Sequence, residues 1–438
     1  MPELIKISTF QCDITPPIGH PLCAGWYPDV SAIGDSLSAN GIIIQSENKT
    51  IVICTLDWAE LSNYEHLRWR QALAEATGTT ADQVAVHCTH CHDSPWPDQE
   101  AQELLNKYNN PDIILTGTWA DDVRKETAEA AQAAMTDLKP CSHVSTGQEK
   151  VLDIASNRRV MENGKLKGVR WTYCPNEEIR HAPEGLIDPF LKTVSFWNDD
   201  EKLVSLHYYA THPTAYDGTG IVTPEFVGLA RNKVSEEENV PHIYFTGCAG
   251  NITAGKYNDG NDESRVWFTN EIYRAMKTSE TFADKQKLDT IDWHLENIHL
   301  PARVDANGSD ARERMDYDAL LDVLKSDADS RTKSRAALIL TYKERCDTLP
   351  IPVTTLQLNK DIFILHLPGE AFMEYQHFAY GENPSAFTCV ASYGDLGPGY
   401  ICMKESFDEG GYEPSDAFCA AESETILKEA ITKVMRNV

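Results

Sequence analysis

Three apolar runs in this chain end in residues that ligate metals or move protons. They are "VAVHCTHCHDSPWP" at 84–97, "VSLHYYATHPTAY" at 204–216 and "IFILHLPGEAFMEY" at 362–375. Runs of four to eight β-branched and aromatic residues bounded by turn residues read as strands. A chain whose strands deliver His90, His92, His212 and Glu370 just past their ends must bring those ends together if the residues share a site. Along an extended strand alternate side chains share a face, so Cys88, His90 and His92 are expected on one side and His87, Thr89 and Cys91 on the other. Glu370 follows Pro-Gly and is expected to open a helix, where a carboxylate also suits the positive helix end.

Further strands are expected near 40–45, 51–56, 84–88, 203–210, 242–246, 351–357 and 361–367. Helices are expected over 62–77, 117–137, 225–236, 264–278, 309–325, 330–345 and 421–436. Strands and helices intermix throughout, which predicts an α/β (mixed α+β) fold of layered sheets with flanking helices. No internal repeat is visible in the residues. Length alone suits roughly three average domains or one large unit; the reading adopted is a single domain over 1–438. The charged segment 305–345 is read as a helical insertion at the periphery. The glycine- and tyrosine-rich stretch 392–418 is read as a long functional loop carrying Tyr393, Tyr400 and Tyr412.

Charge limits the partners. The chain has 67 acidic against 39 basic residues and a formal charge of −28, a surface that repels nucleic acid and anionic membranes. The most basic stretch, "NRRVMENGKLKGVR" at 157–170, reads as a hairpin with an Asn-Gly turn or as one wall of a locally basic pocket. No apolar stretch approaches the ~18 residues of a membrane span, and the N-terminus lacks the pattern of a secretory signal. The twelve cysteines show no framework spacing and read as reduced thiols in a cytoplasmic protein. The partner expected is a small-molecule substrate, and the composition allows a homo-oligomer.

Two histidines and a carboxylate at strand ends make a set suited to catalytic zinc with an open position. In order along the chain, "CDITPPIGHPLCAGW", "THCHDSP", "ATHPT", "FTGCAGNITAGKYN", "LPGEAF" and "YICMKESFDEGGYEPSDA" resemble successive motifs of the neutral/alkaline, non-lysosomal ceramidase family, in its N-terminal catalytic domain. That resemblance implies one Zn2+ per chain, with His90, His212, Glu370 and Tyr400 on the metal positions. It places His92 on the family's second histidine, Tyr412 on its substrate-binding tyrosine and Arg158 near its Asn-Arg segment. Two departures stand in the family's Gly-Asp-Val-Ser stretch. Asn251 replaces the aspartate, and Thr253, the candidate hydroxyl, replaces the serine. The chain ends soon after the tyrosine segment, so the family's C-terminal β-sandwich domain is not expected, and a small soluble substrate is expected rather than ceramide. The function implied is a zinc-dependent amidohydrolase acting on an amide or ester. The alternatives are a metal-dependent lyase or glycoside-cleaving enzyme acting on an acidic sugar, and an inactive metal-binding scaffold.

Overall fold

The computed structural model describes residues 4–281, 283, 285–304 and 316–436. Its architecture is one pattern used three times: three antiparallel strands, a helix, a fourth strand parallel to the third, then a second helix. The first unit has strands Lys6–Asp13, Ser38–Gln45, Thr50–Leu56 and Val84–Cys88, with helices Asn63–Thr77 and Trp119–Ala134. The second has strands His143–Lys150, Phe190–Asn198, Glu201–Tyr209 and His242–Thr246, with helices Glu225–Glu238 and Asp262–Ser279. The third has strands Ile291–Ile298, Ile351–Leu358, Ile362–His366 and Phe387–Ala391, with helices Met373–Glu382 and Ser423–Arg436. In each sheet the hydrogen-bonded order runs fourth, third, second, first, so the single parallel pair lies at one edge. The parallel pair exists because a helix carries the chain back to the start of the sheet.

Alternation along each strand sorts side chains into two cores. Ile42, Ile44, Ile51 and Ile53 of the first sheet, Val194, Phe196, Val204 and Leu206 of the second, and Leu356, Leu358, Ile362 and Ile364 of the third meet in one central cluster. The intervening residues face out under each unit's helix pair, as Ile43, Val52 and Cys54 do against the first. Each fully buried aliphatic contributes roughly 1.5–3 kcal/mol. This two-sided burial explains why the strands read as continuous apolar runs rather than alternating ones.

The three parallel edges are stitched to each other where their fourth strands end. Thr246 Oγ1 donates to the Thr89 carbonyl at 2.7 Å. Ser392 N–H donates to the Thr246 carbonyl at 2.9 Å, and Cys88 N–H to the Tyr393 carbonyl at 2.9 Å. Three edges that would otherwise be open therefore close on one another, and the loops that leave them converge.

The mixed α/β architecture is as read from the sequence, and the strands and helices expected there fall within a few residues of those observed, except that the helix expected over 309–325 is described from Tyr317 to Lys325. Three readings are corrected. The second part of the 305–345 segment is no peripheral insertion. Helix Ser330–Arg345 is lined by buried Ala336, Ala337, Leu338, Ile339, Leu340 and Tyr342, and its buried Arg345 pairs with buried Asp395. Residues 305–315 of that segment lie outside the described residues. Glu370 does not open a helix: it forms a two-residue parallel bridge with Tyr400, and the helix begins at Met373. The strand carrying the histidine cluster stops at Cys88, and His90 has φ +68°, so simple alternation does not set its direction.

Candidate metal centre

Local backbone features aim the site residues. The left-handed turn at His90 is held by its N–H donating to the Trp58 carbonyl at 3.0 Å. Its Nδ1 lies 2.8 Å from the Ala59 carbonyl. That contact fixes the proton on Nδ1 and leaves Nε2 with its lone pair facing inward. His212 is held in the same way: Nδ1 lies 2.7 Å from the Ala249 carbonyl and 2.9 Å from that of Ile252. Glu370 arrives on the bridge to Tyr400, which sets the two side by side. Gly369 makes the approach possible. It has φ +63°, and a Cβ there would sit 2.7 Å from Ile401 Cδ1 and 2.9 Å from the Gly399 carbonyl oxygen. Gly250 does the same for the loop behind, where a Cβ would meet the Glu370 carbonyl oxygen at 2.2 Å.

The inward-facing atoms form a tight group. Glu370 Oε2 is 3.3 Å from His90 Nε2 and 3.1 Å from His212 Nε2. His212 Nε2 and Glu370 Oε2 nevertheless have no hydrogen-bond partner, although both are buried. Together with His90 Nε2 they border one common space. His90, His92 and His212 offer one set of three donors within 4.8 Å of one another, and Glu60, His90 and Glu370 offer a second. Burial holds both inward-facing imidazoles neutral, and His212 is brought down to about 3, with the Arg158 charge adding to the effect. Neutral imidazoles beside a carboxylate are the forms that ligate a cation, so these residues fit a divalent ion.

His92 borders this group. Its Nε2 is 3.2 Å from His90 Nε2, and its Nδ1 is 3.3 Å from the Tyr27 hydroxyl. Tyr27 in turn donates to Asp217 Oδ2 at 2.9 Å. Arg158 is buried and donates from Nη1 to the Tyr400 phenol oxygen at 3.0 Å. Burial pushes the Tyr400 phenol well up, and the Arg158 charge pulls the other way. The Tyr412 ring packs on Tyr400 at 5.6 Å, under the Arg158 guanidinium at 5.6 Å and against Trp171 at 5.0 Å. Trp171 is 48% exposed, which marks this side as the mouth. Seven of the eight residues singled out in the sequence therefore stand together: His90, His92, His212, Glu370, Tyr400, Tyr412 and Arg158. The eighth, Thr253, pairs in a short strand with Ser156, and its hydroxyl accepts the Gly255 N–H at 3.2 Å; that hydroxyl is engaged in its own turn.

Other residues at the site escaped the sequence reading. Glu60 shares "LDWAELS" with Asp57, and no spacing in that stretch sets it apart from a loop acid, yet it is buried with Oε2 unpartnered. Burial, Glu370 and Asp416 all push its carboxyl well above the usual range. Tyr27 and Asp217 orient His92 but sit 190 residues apart in the chain, and no local pattern links them. Asn251 has a structural task. Its Oδ1 accepts the Met373 N–H at 2.8 Å at the start of the helix, and its Nδ2 donates to Glu374 at 3.0 Å. An aspartate could not donate to Glu374, which accounts for the amide. The cysteines beside the histidines are bystanders to the group: Cys91 Sγ donates to the Asp57 carbonyl at 3.0 Å, and all twelve cysteines are free thiols.

No protein-family model and no curated protein matches this chain. Solved structures do. Neutral ceramidase from Pseudomonas aeruginosa superposes with a TM-score of 0.69 at 12% identity, over 100% of this chain and 75% of that one. A ceramidase complexed with C2 gives 0.68 at 13% identity, over 99% and 75%. This chain has the fold of the neutral ceramidases.

Proposed function

We propose that on this shared fold the chain is a metal-dependent hydrolase that cleaves an amide, or an ester, of a small substrate. One divalent ion, zinc by the resemblance of the motifs, would be held by His90, His212, Glu370 and Tyr400. The observation that carries the reading is the set of buried, unpartnered atoms, His212 Nε2 and Glu370 Oε2, facing His90 Nε2 while both histidines are pinned through Nδ1. Buried polar atoms are rarely left without partners, and these two, with His90 Nε2 beside them, offer a cation three donors. Such an ion supplies Lewis acidity at a scissile carbonyl and acidifies water near neutral pH.

The chain's own residues do the rest. His92, oriented by Tyr27, presents Nε2 to the centre. There it accepts a proton from the attacking water and returns it to the departing nitrogen. Arg158 keeps its charge at every working pH, because the Tyr400, Glu413 and Glu370 oxygens outweigh its burial. It steadies the Tyr400 phenol and favours negative charge developing on the carbonyl oxygen. Tyr412 and Trp171 form an aromatic wall at the mouth that positions the substrate.

The charges of the 157–170 hairpin favour this reading over an acidic-sugar lyase. Arg159 is paired with Glu413 and Glu409, Lys167 with Glu162 and Glu178, and Arg170 with backbone carbonyls of Ile179 and Ala182. Arg158 faces the centre, on the Tyr400 phenol, while these three cations are taken up elsewhere, so the hairpin does not build a broad basic pocket. The test is a panel of short and long N-acyl amides, esters and acidic disaccharides, run with and without chelator. Amide or ester hydrolysis that is lost on chelation and restored by metal is expected. His92→Asn should lower kcat by about 10²–10⁴-fold. Unsaturated products from the disaccharides, with no hydrolysis of the amides or esters, would transfer the assignment to the lyase.

A further inference from the structure

The threefold pattern of the fold assigns a role to a residue that the site description leaves unexplained. In the second unit the chain leaves the third strand at Tyr209 and reaches His212 three residues on. In the third it leaves His366 and reaches Glu370 four residues on. In the first unit the same connection leaves Leu56 and, four residues on, reaches Glu60. All three connections lead from the third strand to the following helix, and all three residues are buried. The loops after the fourth strands echo this. His90 and Tyr393 each lie two residues past that strand, both with left-handed backbone, at φ +68° and +61°, and their rings pack at 4.4 Å.

Glu60 is thus the first unit's counterpart of His212 and Glu370. The side chains confirm the placement. A Glu60 carboxylate oxygen lies within 4.8 Å of donor atoms of both His90 and Glu370. Glu60 Oε2, Glu370 Oε2 and His212 Nε2 are all buried without hydrogen-bond partners. The neighbouring Ala59 carbonyl is the one that pins His90 Nδ1, so the same short loop orients a histidine and presents an acid. Two buried carboxylates facing one space repel each other unless a proton or a cation lies between them.

We propose that Glu60 is a direct donor to the ion, giving this chain a centre of two histidines and two carboxylates, His90, His212, Glu370 and Glu60, beside Tyr400. The inference rests on the metal-centre reading above and deepens it. Oxygen-rich donor sets suit manganese and other harder ions better than histidine-rich ones do. The second carboxylate therefore shifts the centre's preference away from zinc and towards manganese.

The test uses the full chain, with Zn2+ and Mn2+ affinities measured by competition against a chromophoric chelator for wild type and Glu60→Gln. The expected result is a loss of at least about tenfold in Mn2+ affinity, a smaller loss for Zn2+, and unchanged stability of the metal-free protein. A folded Glu60→Gln that binds both ions as wild type does would overturn the proposal while leaving the metal centre standing. A variant that loses stability with no change in the Mn2+-to-Zn2+ ratio would show a structural acid only and overturn it too. If Glu60→Gln does not fold, a crystal structure of Mn2+-loaded wild type decides. A Glu60 oxygen within about 2.2 Å of the ion supports the assignment, and one held away from the ion overturns it. Wild type that binds neither ion would remove the underlying reading as well, an outcome distinct from the others.

Discussion

His90 faces the centre because its backbone is left-handed. That turn swings its imidazole away from the strand face and lets the Ala59 carbonyl hold Nδ1. The histidines were legible in the sequence because they follow apolar runs directly. Their orientation was not, because alternation fails once the strand ends at Cys88. Glu60, Tyr27 and Asp217 were illegible for a different reason: their partners lie far along the chain, as His92 and Asp217 do from Tyr27. The contact from Tyr27 to His92, with Asp217 behind it, predicts that Tyr27→Phe and Asp217→Asn lower turnover by about 10–100-fold. KM should change little, since both act through His92 on the chemical step. A rise in KM at constant kcat would place them in substrate binding instead. Away from the site, Arg345 and Asp395 are a fully buried ion pair. Asp395→Ala should cost about 3–5 kcal/mol, because it strands the guanidinium; equilibrium urea unfolding measures it, and a loss under 1 kcal/mol would contradict the account.

At the scale of elements, most central strands announced themselves because both faces are covered, although Phe190–Asn198 did not. Strands His143–Lys150 and Ile291–Ile298 did not. Their half-buried positions carry His143, Glu149, Asp292, His294 and Glu296, and a polar outward face dilutes the apolar signal. The repeated strand and helix order left no trace of residue similarity, because each unit needs only apolar residues at the right spacing, which many sequences supply. Two devices hold the elements in place around the site, and each can be tested. Asn251 caps the helix Met373–Glu382 from a different unit. Asn251→Ala should cost about 1 kcal/mol, and Asn251→Asp more, because it sets a second carboxylate against Glu374. Equal stability of the alanine and aspartate variants would refute that reading of the amide. The Thr246 hydroxyl joins the first two sheets; Thr246→Val should cost roughly 1–3 kcal/mol by leaving the Thr89 carbonyl unpaired.

The whole molecule buries imidazoles far from the centre as well as in it. Burial lowers His20 and His66 to about 4 and His87 to about 3, against an ordinary value near 6.5. Between the folded and unfolded values the unfolded chain binds the extra proton. Stability therefore falls as pH drops below about 6.5 and goes on falling towards 4. Each such group contributes a slope of about 1.4 kcal/mol per pH unit within its window. Urea midpoints should decline from pH 7 to pH 5, and a flat profile would contradict the burial. Among the described residues no helix is long and apolar enough to cross a membrane, and the three sheets instead bury their inner faces against one another. That arrangement brings the loops of three units to a single point, and the central claim is that this point binds a metal. Elemental analysis of protein purified without added metal, wild type beside His212→Ala, tests it most directly. The account predicts about one equivalent of a divalent transition metal in the wild type and its loss from the variant. A wild-type protein that carries no metal and takes up neither zinc nor manganese when offered would contradict it.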